Sequence, residues 1–404
     1  MRPEEQILIC VARRSLNQAV AAQLRALLAN DLDWPNLVAT AHHHCLAPML
    51  YQHLGAIDST LVPAYVLDRL QRDIHHNTRS NLFLTGELLK LLDLLAEHGI
   101  RAVSFKGPTL ALKAYGDVGL RQFGDLDILV HRRDIPKVKD LLISRNFKST
   151  LELTKTQQAA LLRFDSAYTF KNQQGVVLDI HWNLIERHLA FDVDLHGLWD
   201  RVEPVIFNGK ELLTLSGEDL LLLLCLHGFT HLWERLGWIC DVASLIDSRD
   251  DLDWELILRN ATTLGARKIL SLGLLLARDL LGASVPPEVL RSLAPDRRVK
   301  SLAEQIRAQL FTEQSVPQGL FAEAATLMSL RERRRDRFKA GVRLALTPRS
   351  YDWMFVSVPD SLFFLYYLLR PFRLAAKYGA RLFNGSARQP NAKPDKQPAP
   401  VLER

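Results

Sequence analysis

Two short stretches limit the folds open to this chain more than anything else in it: DLDILV from Asp125 to Val130, and VVLDIHW from Val176 to Trp182. Alternate side chains of a strand share a face. In the first stretch Asp125 and Asp127 therefore point one way, while Leu126, Ile128 and Val130 point the other way into a core. In the second, Val177, Asp179 and His181 share one face and Leu178, Ile180 and Trp182 the other. A carboxylate in the middle of an apolar strand is costly unless a cation or a hydrogen-bond donor meets it. Asp179 is thus expected as the third ligand beside Asp125 and Asp127. Three such carboxylates hold one or two hard cations, Mg²⁺ or Mn²⁺, in the manner of metal-dependent phosphoryl or nucleotidyl transfer. His181 and Trp182 read as a cleft wall and a core ring.

Helical periodicity surrounds these strands. Apolar residues recur at helical spacing in Ile7 to Leu28, Leu37 to Leu54 and Leu82 to Leu95. Gly99 to Phe105 is a strand candidate that enters a Lys106-Gly107 turn. Pro108 then suits the first turn of a helix to about Tyr115, whose leading N–H groups form an anion site. Asp134 to Arg145 is a further amphipathic helix. Ala167 to Lys171 pairs with the VVLDIHW strand across Asn172 to Gly175, a four-residue hairpin loop.

From Gly217 the chain is helical again, through Trp254–Leu264 and Ala266–Leu281, with a break at Pro286-Pro287. The expected division is an N-terminal helical region at 1–95, an α/β core at 96–210, a C-terminal helical domain at 211–383 and a disordered tail at 384–404. The fold class is α+β, a small mixed sheet flanked by helices.

Composition excludes some classes. At 404 residues, 48% hydrophobic and 24% charged, the chain is that of a soluble globular protein with sizeable cores. Cys10, Cys45, Cys225 and Cys240 are scattered without a CxxC pair and read as reduced. Arg2, Glu4 and Glu5 precede only a short apolar run, so export is not expected and a cytoplasmic location is. The net charge of +6 is uneven: residues 331–404 hold 16 basic against 6 acidic residues, a balance of +10, which leaves −4 for the rest. That region reads as a solvated tail or as a surface for an anionic partner, RNA or a membrane.

Several conspicuous groups receive plainer readings. His42, His43 and His44 stand about 100° apart on a helix and cannot chelate one metal together. His227 and His231 have the i, i+4 spacing of zinc helices, but without HEXXH they read as buried or interfacial. Asp241, inside an apolar helix, accepts a hydrogen bond or lines the cleft. Trp353 to Leu369, almost uncharged but interrupted by Pro359 and Asp360, is too poor a segment to span a bilayer. It reads as a buried helix, the other reading being an interfacial anchor flanked by Arg349, Arg370, Arg373 and Lys377.

Taken together, Lys106-Gly107, the Arg121-x-x-Gly124-Asp125-x-Asp127 strand and Asp179-Ile-His-Trp182 resemble the polymerase-β-type nucleotidyltransferase superfamily. More narrowly, they resemble the bacterial uncharacterised nucleotidyltransferases, as do the LAPMLYQHL and HGFTHLWERLGWICDVASL helices. The resemblance covers most of residues 35 to 250. It implies transfer of NMP from an NTP, ATP by preference, to a hydroxyl of an unidentified acceptor. Catalysis and metal binding fall to Asp125, Asp127 and Asp179. Nucleotide contacts fall to Lys106, Gly107, Thr109, Arg121 and Gly124, with Thr109 supplying the hydroxyl that the superfamily usually takes from a Gly-Ser turn. A resemblance to abortive-infection toxin nucleotidyltransferases implies tRNA as another acceptor. A catalytically silent scaffold or membrane-associated protein on the same fold is the non-enzymatic alternative.

Overall fold

Single periodic runs in the sequence break where a residue caps or reverses the chain. The architecture is that of a computed structural model, which describes all residues except 58, 186–188, 190, 192–193, 313–329, 357 and 384–404. The tail expected at 384–404 therefore lies outside the described residues. The run from Ile7 to Leu28 forms two helices, α1 (Pro3–Val11) and α2 (Gln18–Leu28), because the Asn17 side chain accepts from the Val20 N–H and starts the second. The next run divides at Cys45, whose φ is +59°, into α3 (Trp34–His43) and α4 (Ala47–Ile57). Helix α5 (Ala64–Glu97) is longer than its apolar pattern, at 34 residues.

Strand β1 (Ala102–Ser104) leads to Gly107, whose φ of +52° lies in the left-handed region that favours glycine, and into the short α6 (Gly107–Leu110). A π-helical turn at Ala111–Tyr115 follows and stops at Gly116 with φ +80°. Then come β2 (Asp125–Val130), α7 (Ile135–Ser144), β3 (Lys148–Ser149), α8 (Lys155–Phe164), β4 (Ala167–Lys171) and β5 (Val177–His181). The β4–β5 hairpin closes as expected, with the Asn172 side chain accepting from the Gln174 and Val176 N–H groups and Gly175 at φ +85°. Helix α9 (Leu195–Asp200) precedes a second hairpin, β6 (Glu203–Phe207) and β7 (Lys210–Thr214). Asn208-Gly209, both at positive φ, are the signal of that hairpin, which lies outside the strands expected from the sequence.

Helices α10 (Gly217–Thr230), α11 (Leu236–Asp247), α12 (Trp254–Leu264), α13 (Arg267–Leu281), α14 (Pro287–Leu293) and α15 (Arg297–Gln309) follow. The C-terminal stretch forms α16 (Arg334–Leu346), α17 (Ser350–Phe355) and α18 (Leu365–Phe383). The protein is a mostly helical α+β fold with a five-stranded mixed sheet in the order β1-β2-β5-β4-β3. Strands β2 and β5 are parallel, while β4 is antiparallel to both β5 and β3.

The chain groups into two compact units that interleave in sequence. One comprises Met1–Asp93, Val103–Phe123 and His196–Pro317. Its core is helical and unusually close in places: a Cβ on Gly228 would lie 2.4 Å from the buried Trp233 ring, and one on Gly273 would lie 2.5 Å from Cys225 Sγ. Only glycine admits those approaches. The other unit comprises Leu94–Ala102, Gly124–Leu195 and Gln318–Arg404. There one sheet face is the apolar core, with Leu126, Ile128, Val130, Tyr168, Phe170, Leu178 and Ile180 all buried.

The segment from Trp353 to Leu369 departs from the expected buried helix. It is broken between α17 and α18 around Pro359. Trp353 and Tyr366 are buried, but Phe355, Val356, Leu362, Phe364, Leu368 and Leu369 are exposed. Among the described residues, no helix is long and apolar enough to cross a membrane.

Candidate metal centre on the sheet

The parallel pairing of β2 with β5 sets Asp127 directly opposite Asp179, with Asp125 opposite Val177 and Leu129 opposite His181. Because the side-chain period is two, these residues share the sheet face turned away from the apolar core. On the other side of β5, Thr169 stands opposite Asp179. Ligand atoms of Asp127, Asp179 and His181 all lie within 4.8 Å of one another. Asp127 and Asp179 are buried, His181 half-buried.

The carboxylates are oriented by their neighbours. His181 Nε2 is 3.0 Å from Asp127 Oδ1, and the Thr169 hydroxyl donates to Asp179 Oδ1 at 2.5 Å. Two carboxylates set opposite one another in register repel, and burial sharpens the repulsion. The donor set of two hard oxygens and one imidazole fits a divalent cation. Asp125 lies one step along the same face, half-buried, and is not among the three groups that meet. His181, read from sequence as a cleft wall, is one of them; its signal was the shared face with Asp179.

The residues assigned to nucleotide contact have varied surroundings. Thr109 is fully buried and its hydroxyl donates to the Ser104 and Lys106 carbonyls at 3.1 and 3.0 Å, which ties the Lys106-Gly107 turn together. Lys106 Nζ lies 5.7 Å from the centre of the Phe105 ring. Gly124 is exposed, with open space where a Cβ would stand.

Arg121 is held by Asp241: its Nε and Nη2 donate to the two carboxylate oxygens at 2.9 and 3.0 Å, and the Tyr115 hydroxyl donates to Oδ1 at 2.7 Å. Burial opposes the charge on Arg121, but the Asp241 carboxylate outweighs it and raises the guanidinium pKa. Burial, reinforced by the Asp241 charge, pushes Tyr115 well up. The loop that carries Arg121 is tied down by Asn81, whose side-chain amide donates to the Val118 and Arg121 carbonyls at 2.6 and 2.7 Å.

Among the described residues, the histidines outside the sheet join no group of three or more possible metal ligands. His227 and His231 stack with Trp238, at centroid distances of 5.5 and 5.1 Å. His42 meets Asp73 at 2.9 Å. His44 is buried, accepts from the Leu236 N–H at 3.1 Å, and is pushed down to about 3 by burial and by the neighbouring His43.

The mixed sheet thus gathers two carboxylates and an imidazole on the polar face of β2 and β5, a group that could hold a metal ion. The sequence profile of the uncharacterised nucleotidyltransferase family matches residues 30–282, and the chain belongs to that family. No curated protein matches the chain. Among solved structures, an antigenic nucleotidyltransferase-like protein from Paracoccidioides brasiliensis is similar at 18% identity over 53% of this chain and 95% of its own, with a TM-score of 0.31.

Proposed function

We propose that this chain is a divalent-metal-dependent nucleotidyltransferase that moves NMP from an NTP, ATP by preference, to a hydroxyl of its acceptor. The reading is supported above all by the register-opposed Asp127 and Asp179, joined by His181 within 4.8 Å, in a member of a nucleotidyltransferase family. Asp127 and Asp179 would hold the cation, Mg²⁺ or Mn²⁺, with Asp125 next along the face. When bound, that ion supplies charge neutralisation for the triphosphate and lowers the pKa of the attacking hydroxyl. His181 fixes one oxygen of Asp127, and Thr169 fixes one oxygen of Asp179, so both carboxylates enter the reaction already oriented.

The assignments at Lys106, Gly107, Thr109, Arg121 and Gly124 follow from the motif rather than from contacts. For Arg121 and Thr109 the observed partners favour positioning of their own loops over contact with a phosphate. The acceptor is a hydroxyl of a small molecule, a peptide product, a protein side chain or an RNA end, and salt-sensitive tRNA binding separates the last from the others.

Calorimetry with each of the four NTPs, with and without Mg²⁺, tests the proposal on the wild type and on the Asp127→Asn/Asp179→Asn variant. Metal-dependent binding that disappears in the double variant is the expected result. Failure of every NTP to bind the folded wild type, or binding that persists unchanged in the double variant, overturns it.

A further inference from the structure

The C-terminal helices are amphipathic in the reverse of the usual sense. On α18, Arg370 is only 3% exposed and Asp352, from α17, only 4%. Arg370 donates to the Asp352 carboxylate at 2.5 Å and to the Leu344 carbonyl of α16 at 2.9 and 3.0 Å, and Arg373 meets the other Asp352 oxygen. The inward face thus carries a buried ion pair beside Trp353 and Tyr366. Leu365, Leu368, Leu369 and Phe372 follow the i, i+3, i+4, i+7 spacing of one helix face, and the last three point outward. Leu368 is 58% exposed and Phe372 74%.

Helix α16 buries Asp336 and Ala340 and likewise exposes an apolar stripe. Phe338, Val342 and Leu346, four residues apart, are all exposed, Phe338 at 74%. Phe355 and Phe364, beside these helices in sequence, add 71% and 57%. Isolated exposed apolar residues need no explanation, but two neighbouring helices that bury charged side chains, Asp336 on one and Arg370 on the other, and expose phenylalanine do.

Charge chooses among the occupants of such a face. Arg334 and Arg335 are exposed at the head of the α16 stripe, within a segment whose balance is +10 over residues 331–404. A second copy would bring two such cationic regions together, which like-charge repulsion opposes. RNA would engage the arginines and leave the aliphatic stripe in water. An anionic bilayer meets both, since phenylalanine and leucine enter the acyl boundary while arginines stay with the headgroups.

We propose that α16 to α18 form a membrane-docking surface that lies in the interface of an anionic lipid bilayer through Phe338, Phe355, Phe364, Leu368 and Phe372. The inference is independent of the nucleotidyltransferase chemistry. The full chain is sedimented with vesicles of phosphatidylcholine alone, and with vesicles containing about a quarter phosphatidylglycerol. Wild type should partition to the anionic vesicles, and Phe338→Ser/Phe364→Ser/Phe372→Ser should lose binding by roughly tenfold or more with its circular dichroism unchanged. Arg334→Glu/Arg335→Glu, which leaves the apolar stripe intact, should weaken binding to the anionic vesicles several-fold. Three results overturn the proposal: no partition of the wild type, retention of tRNA but not vesicles, or a dimer in light scattering that the triple-serine variant dissolves.

Discussion

The two units each bury a carboxylate cluster, and the clusters are built on opposite principles. In the helical unit, Asp241 receives a two-point guanidinium from Arg121 and a hydroxyl from Tyr115. Its charge is answered within the fold by a partner that is always ionised. On the sheet, Asp127 faces a second carboxylate, Asp179, with a histidine and a threonine beside them. The first arrangement is one that folding consumes. The second places like charges in register, which costs stability and is sensible where a cation joins them. Burial alone does not separate the two; the identity of the partner does.

The largest effect expected from this contrast is on folding. Asp241→Ala leaves the Arg121 guanidinium buried without its counter-charge and should destabilise the protein by about 3–5 kcal/mol in urea titrations. Arg121→Met/Asp241→Leu, which removes both charges, should recover most of that. A loss as large in the double variant would mean that the pair contributes more than charge balance.

The sheet cluster should behave in the opposite way. Asp127→Asn/Asp179→Asn should lower Mg²⁺-dependent NTP affinity at least about a hundredfold, some 2.7 kcal/mol, while changing the unfolding free energy from urea titration by less than about 1 kcal/mol. A large loss of stability with metal affinity preserved would make the sheet cluster a structural one, and the contrast would collapse.

Gly228→Ala asks whether the helical unit is rigid enough to make its ion pair costly to break. The new methyl meets the Trp233 ring and should cost about 1–3 kcal/mol, read from the thermal midpoint. The effect that is smallest at neutral pH is a slope, which grows with acidity. His44 titrates at about 3 in the folded chain and near 6.5 when unfolded. Below pH 6.5 the unfolded chain therefore binds a proton that the folded chain does not. The stability His44 permits is present above pH 6.5 and is lost, at up to about 1.4 kcal/mol per pH unit, as the pH falls toward 3. His44→Asn, whose side-chain oxygen keeps an acceptor for the Leu236 N–H, should flatten that part of the stability–pH curve.

The faces of the two strands that carry the carboxylates are legible in the sequence alone. The alternation in DLDILV and VVLDIHW assigned faces correctly, because a strand's two-residue period leaves no other arrangement once one face is apolar. The β4–β5 hairpin was equally plain in Asn172 to Gly175. His181 was placed on the right face, yet its meeting with Asp127 depends on which strand lies beside β5, and strand order is not a property of either strand alone. The resemblance of its motif assigns Arg121 to the nucleotide. Its partner, Asp241, lies 120 residues later, a separation no local pattern bridges.

The sequence by itself determined the periodicities, the turns that need glycine, and the faces on which the carboxylates stand, since these follow from backbone sterics and from the cost of burying charge. Tertiary structure alone decided which charges meet. It put Asp127 opposite Asp179, gave Asp241 to Arg121, and turned the arginine of α18 inward and its phenylalanine outward. The physical reason is that attraction, repulsion and exposure depend on distance through space, while a sequence records distance along the chain.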